Sequence, residues 1–142
     1  MKNKIILIAA ISVLIFGCKR KGCTDPNAIN YDASNKENDG SCTYSATISF
    51  WFDSITSVNF ENQGIDMIEV FVENESFFHT TTNTYLSSEP DCSYPDLFKF
   101  AIEVEGEHQS VNYKVNDQNG IEVLNGTTLV KADSCLSVQL IY

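Results

Sequence analysis

Residues 98–105 read FKFAIEVE, and the alternation in this stretch decides the fold class. Apolar residues occupy every second position: Phe98, Phe100, Ile102 and Val104. The positions between them are mostly charged: Lys99, Ala101, Glu103 and Glu105. Because successive side chains of a β-strand point to opposite faces, this pattern predicts a strand with one buried face and one solvated face.

The same period of two recurs on both sides of this stretch. Its apolar positions are Ile48, Phe50, Phe52, Ile68, Val70, Val72, Val111, Tyr113 and Val115. Turn signals stand at Asn62-Gln63-Gly64, Glu105-Gly106 and Asn119-Gly120. Residues 127–131 and 136–142 complete the set, and no stretch keeps a helical repeat over three turns. About seven short strands are typical of a sandwich, so residues 45–142 are predicted to form an all-β, immunoglobulin-like or transthyretin-like β-sandwich.

The end of the chain has a recognisable order of residues. A strand pattern contains Tyr113, a turn follows at Gly120, and Gly126-Thr127 and Cys135 come after it. This order resembles the end of small sandwich domains in lipoproteins of Bacteroidetes, where a cysteine opens the last strand. The resemblance implies a sandwich and the place of Cys135, and it implies no catalytic residue.

The first seventeen residues have the composition of an export signal. Lys2 and Lys4 precede an apolar run over residues 5–16, which only Ser12 interrupts. The run is too short to span a bilayer, which needs about 20 apolar residues. It fits the apolar region of a secretory signal peptide, here residues 1–17. A buried N-terminal helix is the alternative, but the ends of the run carry no capping residues.

The signal ends in Ile15-Phe16-Gly17-Cys18. This junction resembles the lipobox of bacterial lipoproteins, although Phe16 stands where a small residue is usual. The resemblance implies a diacylglyceryl group on the Cys18 thiol, cleavage before Cys18, and an acyl chain such as palmitate on the new amine. Several chains are needed because one acyl chain binds a membrane only marginally. Residues 18–22 would then be a lipidated, basic tether.

Five cysteines are an odd number for an exported chain. With Cys18 set aside, four remain for disulfides in an oxidising compartment: Cys23, Cys42, Cys92 and Cys135. Three pairings are open. We favour Cys23–Cys42, which brackets one polar segment, with Cys92–Cys135, which lies wholly within the later domain.

Residues 23–44, called the stapled module below, read CTDPNAINYDASNKENDGSCTY. Turn-forming residues dominate, and a segment this polar needs a disulfide because it cannot build its own core. The ends Cys-Thr-Asp-Pro and Asp-Gly-Ser-Cys resemble a short module of exported Bacteroidetes proteins. That module is loosely similar to thrombospondin type 3 calcium repeats.

Calcium is therefore the one cofactor that the sequence suggests. Hard oxygen ligands of the kind Ca²⁺ prefers are available in the stapled module at Asp25, Asn27, Asp32, Glu37 and Asp39. The alternative is a cluster of turns, in which Asp and Asn bond to their own backbone. No Cys-x-x-Cys spacing indicates a zinc site, and His79 and His108 are expected in surface loops.

Charge and motifs limit the function. The net charge of −10 argues against a nucleic-acid partner, because an acidic surface repels phosphates. No Gly-x-Ser-x-Gly, phosphate loop or zinc motif is present, so the chain is not expected to be an enzyme. A small hydrolase is kept as an outside alternative.

Four aromatic residues are candidates for binding: Trp51, Phe71, Phe77 and Phe78. Exposed aromatics can stack on a glycan or dock an envelope protein. Alternatively, Trp51 and Phe71 cover a second apolar surface, such as the stapled module, and one of Phe77 and Phe78 is buried in the core.

The sequence thus predicts a lipid-anchored cell-envelope protein with a non-enzymatic accessory, structural or binding role. The alternative is a carbohydrate- or protein-binding surface lipoprotein. Lys19 stands directly after Cys18, where an Asp retains lipoproteins in the inner membrane of enteric bacteria, so the outer membrane is expected. Lys19-Arg20-Lys21 favours its periplasmic face, because surface-export signals of this group are usually acidic at that place.

Overall fold

The computed structural model describes residues 19–95 and 97–142. The predicted signal peptide and the lipidation site Cys18 lie outside these residues. The described part contains seven strands and one helix: β1 (Thr43–Trp51), α1 (Ser54–Asn62), β2 (Met67–Val72), β3 (Glu75–Thr81), β4 (Lys99–Glu105), β5 (His108–Asp117), β6 (Glu122–Lys131) and β7 (Cys135–Gln139).

The strands form two sheets, in the orders β4-β1-β7 and β3-β2-β5-β6. Neighbouring strands are antiparallel except β1 and β7, which are parallel. One continuous apolar core contains residues of both sheets, among them Ile48 and Phe50 from β1 and Val111 and Val115 from β5. The predicted all-β sandwich, preceded by a disulfide-stapled module, is therefore confirmed.

Alternation places residues as predicted along β2 and β5. Ile68, Val70 and Val72 are fully buried, and so are Val111 and Val115. Cys135 opens the last strand, as the resemblance of the chain end implied. Period two is thus a reliable guide wherever one face of a strand meets the core and the other meets water.

Two expectations about single residues were wrong. Phe98, predicted to be a core position, precedes β4 and is 47% exposed. His79 and His108 are exposed, but they lie in strands β3 and β5 and not in loops. The strand β3 escaped notice because two consecutive phenylalanines interrupt the alternation.

A register shift explains those consecutive phenylalanines. Val70 of β2 pairs with Phe78, whereas Phe71 pairs with Ser76, so Phe77 is the extra residue of a bulge. A bulge re-aims one side chain of a strand. Both rings consequently contact the core, with Phe78 buried and Phe77 packed against its edge.

The helix α1 has nine residues, too few to produce a helical repeat in the sequence. Its start is marked instead by a capping residue. The Asp53 carboxylate caps the helix by accepting a hydrogen bond from the Thr56 amide at 2.9 Å. Phe60 anchors the buried side of the helix. Its ring stacks on Tyr142 at a centroid distance of 4.5 Å and meets Phe52 edge-on at 5.9 Å.

The stapled module has a small core of its own. The Cys23–Cys42 disulfide is present, and Ala28 and Tyr44 pack around it. The module joins the sandwich directly because β1 begins at Thr43, whose carbonyl accepts a hydrogen bond from the Ile29 amide at 2.8 Å. The predicted boundary at residue 44 thus falls inside a strand.

Replacing Phe60 by alanine should lower the free energy of unfolding by about 3–5 kcal/mol, because the fully buried ring leaves a cavity. Val58 on the same helix is 52% exposed, so Val58→Ala should change the free energy of unfolding by less than about 0.5 kcal/mol. Urea denaturation followed by circular dichroism measures both. If both variants lost the same free energy of unfolding, Phe60 would not be the residue that holds α1 to the core.

Candidate functional site: an aromatic cleft beside β1

The connection between β3 and β4 crosses from one sheet to the other. We call its residues 82–95 and 97–98 the β3–β4 segment. Its Leu86 amide donates a hydrogen bond to the Phe52 carbonyl at 3.0 Å. Farther along, Cys92 forms the predicted disulfide with Cys135, with their Cα atoms 6.2 Å apart. The segment is therefore fastened to the three-stranded sheet at two places, just after β1 and at the first residue of β7.

The position of this disulfide shows which face the segment covers. Cys135 pairs with Thr47 in parallel register, so both side chains lie on one face of the three-stranded sheet. Ile48 and Phe50 point to the opposite, core-facing side. The disulfide thus ties the part of the β3–β4 segment around Cys92 to the outer face, whereas Phe98 at the end of the segment contacts Phe78 of the second sheet.

Burial along β1 agrees with this cover. Ser49 and Trp51 share the outer face with Thr47, where alternation alone would expose them. Ser49 is fully buried, and Trp51 is only 9% exposed. Strand β1 is consequently packed on both faces, which accounts for its run of four buried residues from Ile48 to Trp51.

A cleft of about 300 Å³ opens between the end of β1, strand β3 and the β3–β4 segment. This volume is at the lower end of the range for small-molecule sites, about 300–1,000 Å³. Seven of its eleven described lining residues are aromatic: Phe50, Trp51, Phe52, Phe78, Tyr85, Tyr94 and Phe98. The others are Thr80, Thr84, Leu86 and Leu97. None of these eleven carries a formal charge at neutral pH.

The aromatic cleft has a buried base and an exposed rim. Its base includes Phe50 and Phe52, which belong to the core. Its rim includes Tyr85, Tyr94 and Phe98, which are 49%, 42% and 47% exposed. The ring of Phe98 stacks on Phe78 at 4.5 Å with an interplanar angle of 9°. The rim therefore presents aromatic surface that a ligand could cover.

The indole nitrogen of Trp51 is buried, and no described residue accepts a hydrogen bond from it. A buried donor without a partner costs about 1–3 kcal/mol, so such groups need an explanation. Three other buried polar atoms of the described chain also lack a partner: Asn35 Oδ1, Asn116 Oδ1 and Ser137 Oγ. None of those three residues lines the aromatic cleft. Trp51 does line it, although its indole nitrogen is itself closed off from solvent.

The four aromatic candidates from the sequence separate into two pairs. Trp51 and Phe78 line the aromatic cleft, whereas Phe71 and Phe77 do not. Phe71 lies beneath Lys114, whose Nζ is 5.0 Å from the ring centroid. Phe77 meets Phe100 edge-on at 5.1 Å at the margin of the core.

Sequence reasoning missed the rim residues Tyr94 and Phe98. Both lie close to Cys92 in the chain, and the disulfide to Cys135 brings this part of the segment to β1. The pairing favoured from the sequence was the one signal that could have located them. Without the strand register, this disulfide pairing could not indicate where Tyr94 and Phe98 lie on the sheet.

The candidate calcium ligands of the stapled module are engaged within the module. Asp25 accepts hydrogen bonds from the Asn27 amide at 3.0 Å and the Tyr44 hydroxyl at 2.8 Å. Asp39 accepts one from the Ser41 amide at 3.0 Å. These are turn bonds of the kind Asp forms with its own backbone.

Of the remaining candidates, Asn27 is exposed, and the two carboxylates form ion pairs with the tether. Asp32 lies 3.0 Å from the Arg20 guanidinium, and Glu37 lies 3.2 Å from Lys21 Nζ. Within residues 19–95 and 97–142, no three His, Cys, Asp or Glu side chains converge in a group able to hold a metal ion. Calcium binding stays a prediction.

Hydrogen bonding stabilises the charged form of three of these carboxylates. The hydroxyl and amide of Ser41 lower the pKa of Asp39, and those of Ser34 lower the pKa of Asp32, with help from Arg20. The Asn27 amide, followed by the Tyr44 hydroxyl, lowers the pKa of Asp25. Each carboxylate therefore stabilises its turn more strongly when it is ionised.

Comparisons of the chain with protein-family models, with curated proteins and with solved structures gave no match. In the part of the chain that the structure describes, no helix has the length and hydropathy to cross a bilayer. The structure therefore describes the molecule as an all-β sandwich with an aromatic cleft beside a segment that a disulfide holds in place.

Replacing Cys92 and Cys135 by alanine should release the β3–β4 segment. The free energy of unfolding should fall by about 4 kcal/mol on the chain-entropy model. Trp51 is the single tryptophan, so its emission should move to longer wavelength under native conditions as water reaches the outer face. Fluorescence spectroscopy with urea denaturation measures both effects.

The matched control is the Cys23→Ala, Cys42→Ala variant, which opens the other disulfide. It should lower stability by about 3 kcal/mol and leave the native emission of Trp51 unchanged. An unshifted spectrum in the Cys92→Ala, Cys135→Ala variant would show that the segment stays in place without its disulfide.

Acid should loosen the turns of the stapled module. Because the folded-state pKa values of Asp25, Asp32 and Asp39 lie below the ordinary value of about 3.9, their stabilisation is complete above that pH. It is lost as the pH falls through the lowered values. Amide chemical shifts of Asn27, Ser34 and Ser41 should therefore titrate with midpoints below about pH 3.9.

The Asp39→Asn variant is the control for this titration, since it should remove the transition from Ser41 and leave that of Asn27. A midpoint at or above about pH 3.9 for the Ser41 amide would contradict the capping role of Asp39.

Proposed function

We propose that the protein is a lipid-anchored cell-envelope protein with a non-enzymatic role, and that it binds a partner molecule through the aromatic cleft. The observation that supports this function most is the cleft itself. It combines an exposed aromatic rim with an apolar base of buried rings. Aromatic residues that have one apolar side and one polar group are typical of binding surfaces.

The lining of the cleft favours binding over catalysis. Nucleophilic catalysis needs a nucleophile, a base within hydrogen-bond reach and a group that orients the base. The described lining residues include no His, Asp, Glu, Lys or Cys side chain. His79 and His108 lie in other places, exposed on β3 and at the start of β5. These features support a binding role.

The lipid anchor rests on the junction of residues 15–18, which resembles a lipobox. The residues just after it support an anchor close to the folded body. Arg20 and Lys21 form exposed ion pairs with Asp32 and Glu37 of the stapled module. The Arg20 carbonyl also accepts a hydrogen bond from the Lys36 amide at 2.9 Å. A lipid on Cys18 would hold the module directly at the membrane surface.

The basic residues of the tether bear on which face of the membrane carries the protein and on how the protein is held there. Residues 19–21 are basic, whereas surface-export signals of Bacteroidetes are usually acidic there, so we place the protein on the periplasmic face of the outer membrane. With two of the three cations paired to the module, their attraction to anionic headgroups is reduced. The acyl chains would then supply most of the membrane affinity.

Carbohydrate binding is the second candidate. Three exposed aromatics at the rim of the cleft favour it, because a sugar ring can stack on an aromatic face. A glycan would cover the rim, whereas a smaller apolar molecule would fill the base.

Mass spectrometry of the protein isolated from a lipoprotein-producing bacterium tests the anchor. The mature chain should begin at Cys18 and carry the mass of a diacylglyceryl group and an amide-linked acyl chain. The Cys18→Ala variant should lack both modifications and retain residues 1–17. Cys23→Ala is the matched control, because that variant should remain lipidated at Cys18. An unmodified Cys18 in the native protein would refute the lipid anchor.

A further inference from the structure

Strand β6 forms a free edge of the four-stranded sheet. It is last in the order β3-β2-β5-β6, and β5 is its single neighbour among the described strands. In the described chain, no backbone hydrogen bond joins residues 122–130 to any element other than β5. The outward N–H and C=O groups of such an edge are a template for pairing with another strand.

The other three edge strands carry features that prevent strand addition. Strand β3 has the bulge at Phe77, and β7 has only five residues. Strand β4 bears three charged side chains, Lys99, Glu103 and Glu105. Bulges, short strands and charges all protect sheet edges. Strand β6, in contrast, has ten residues, and its positions 123–130 carry no charge.

The charged residues of β6 stand at its two ends and on one face. Lys131 pairs with His108 and Glu122 pairs with Asn116, which lie on the face of β5 opposite the core. Val123 is the extra residue of a register shift, so Glu122 shares this outer face with Asn125. The Asn125 side-chain amide accordingly donates to Glu122 Oε1 at 2.7 Å.

We propose that a second copy of the chain docks antiparallel along the free edge of β6, with a two-fold axis at Thr127. In this register, Lys131 of each copy lies opposite Glu122 of the other, so the interface contains two ion pairs. Opposite charges directly across two strands stabilise their pairing. The two four-stranded sheets become one sheet of eight strands.

The remaining side chains agree with this register. Next to the core, the apolar residues Leu124 and Val130 lie opposite each other. On the outer face, Leu129 lies opposite Asn125. A shift by two residues in either direction would place Lys131 opposite Asn125 or Glu122 opposite Leu129, and both ion pairs would be lost. Charge complementarity therefore selects the axis at Thr127.

The pairing also sets the arrangement of the two stapled modules. Each module adjoins the Lys131 end of its own β6, because Asp25 and Lys131 line one surface cavity. Antiparallel pairing thus places the two modules at opposite ends of the joined sheet. Copies anchored to one membrane would pair with β6 running along the membrane surface.

A cysteine at the axis tests the pairing in cells that produce the full chain. Directly opposite residues of antiparallel strands have Cα atoms about 4.5–5.5 Å apart, within the range of about 4.4–6.8 Å for disulfides. Thr127→Cys should therefore give a disulfide-linked dimer on non-reducing electrophoresis. In the matched control Leu129→Cys, the two new cysteines are offset by four residues, about 13 Å, so this variant should remain monomeric.

Charge reversal tests the ion pairs. Lys131→Glu places two carboxylates together at each end of the interface and should raise the dissociation constant of the dimer about tenfold. Adding Glu122→Lys restores opposite charges and should recover the affinity. Sedimentation equilibrium of the purified protein in detergent measures this constant. Both residues are exposed, so unchanged emission of Trp51 should show that the variants are folded.

Three results would overturn the proposal. The first is a monomer in sedimentation with no cross-link from Thr127→Cys. The second is equal cross-linking of the two cysteine variants, which would indicate random collision. The third is a cross-link from Thr127→Cys to a different protein, which would replace the second copy as the occupant of the edge. All three are independent of the aromatic cleft and of Cys18, so the proposed function would be unaffected.

Discussion

Packing on both faces of β1 is the constraint on which the rest of the structure depends. This strand is central in the three-stranded sheet, paired with β4 on one side and β7 on the other. Its inner residues Ile48 and Phe50 enter the core between the sheets, and its outer residues Ser49 and Trp51 are also buried. Antiparallel sheets commonly leave one face to solvent, so burial of both faces of β1 requires a second covering layer.

The second layer comes from a segment without regular strands. A three-stranded sheet offers little area, and its outer face would normally be solvated. The Cys92–Cys135 disulfide fixes the β3–β4 segment over that face and limits the freedom of the segment in the unfolded chain. The same segment contributes Tyr94 and Phe98 to the lining of the cleft, and Phe98 stacks on Phe78 of the other sheet, so the cleft forms where the segment crosses from one sheet to the other.

Sequence patterns predicted the parts of this fold that obey one local rule. Alternation identified β2, β4 and β5 because each has one apolar and one polar side, and the cysteine positions favoured both disulfides that are present. The outer face of β1 could not be predicted in this way. A tryptophan at an outward position has the same pattern whether it meets water or a covering segment, and only the register of Cys135 against Thr47 distinguishes the two. Strand β3 was hidden for a related reason, since its bulge at Phe77 breaks the period.

The distribution of charge separates the molecule into regions with different chemistry. The carboxylates of the stapled module cap turns or pair with the tether, as Asp25 and Asp32 show. The aromatic cleft, in contrast, has no charged residue in its described lining. An acidic protein with a neutral cleft repels anions before they arrive and gives them no cation to bind. The chemistry inside the cleft is then that of aromatic rings and of a few neutral hydroxyl groups, on Thr80, Thr84, Tyr85 and Tyr94, and sites of this kind distinguish molecules by shape and by a small number of polar contacts.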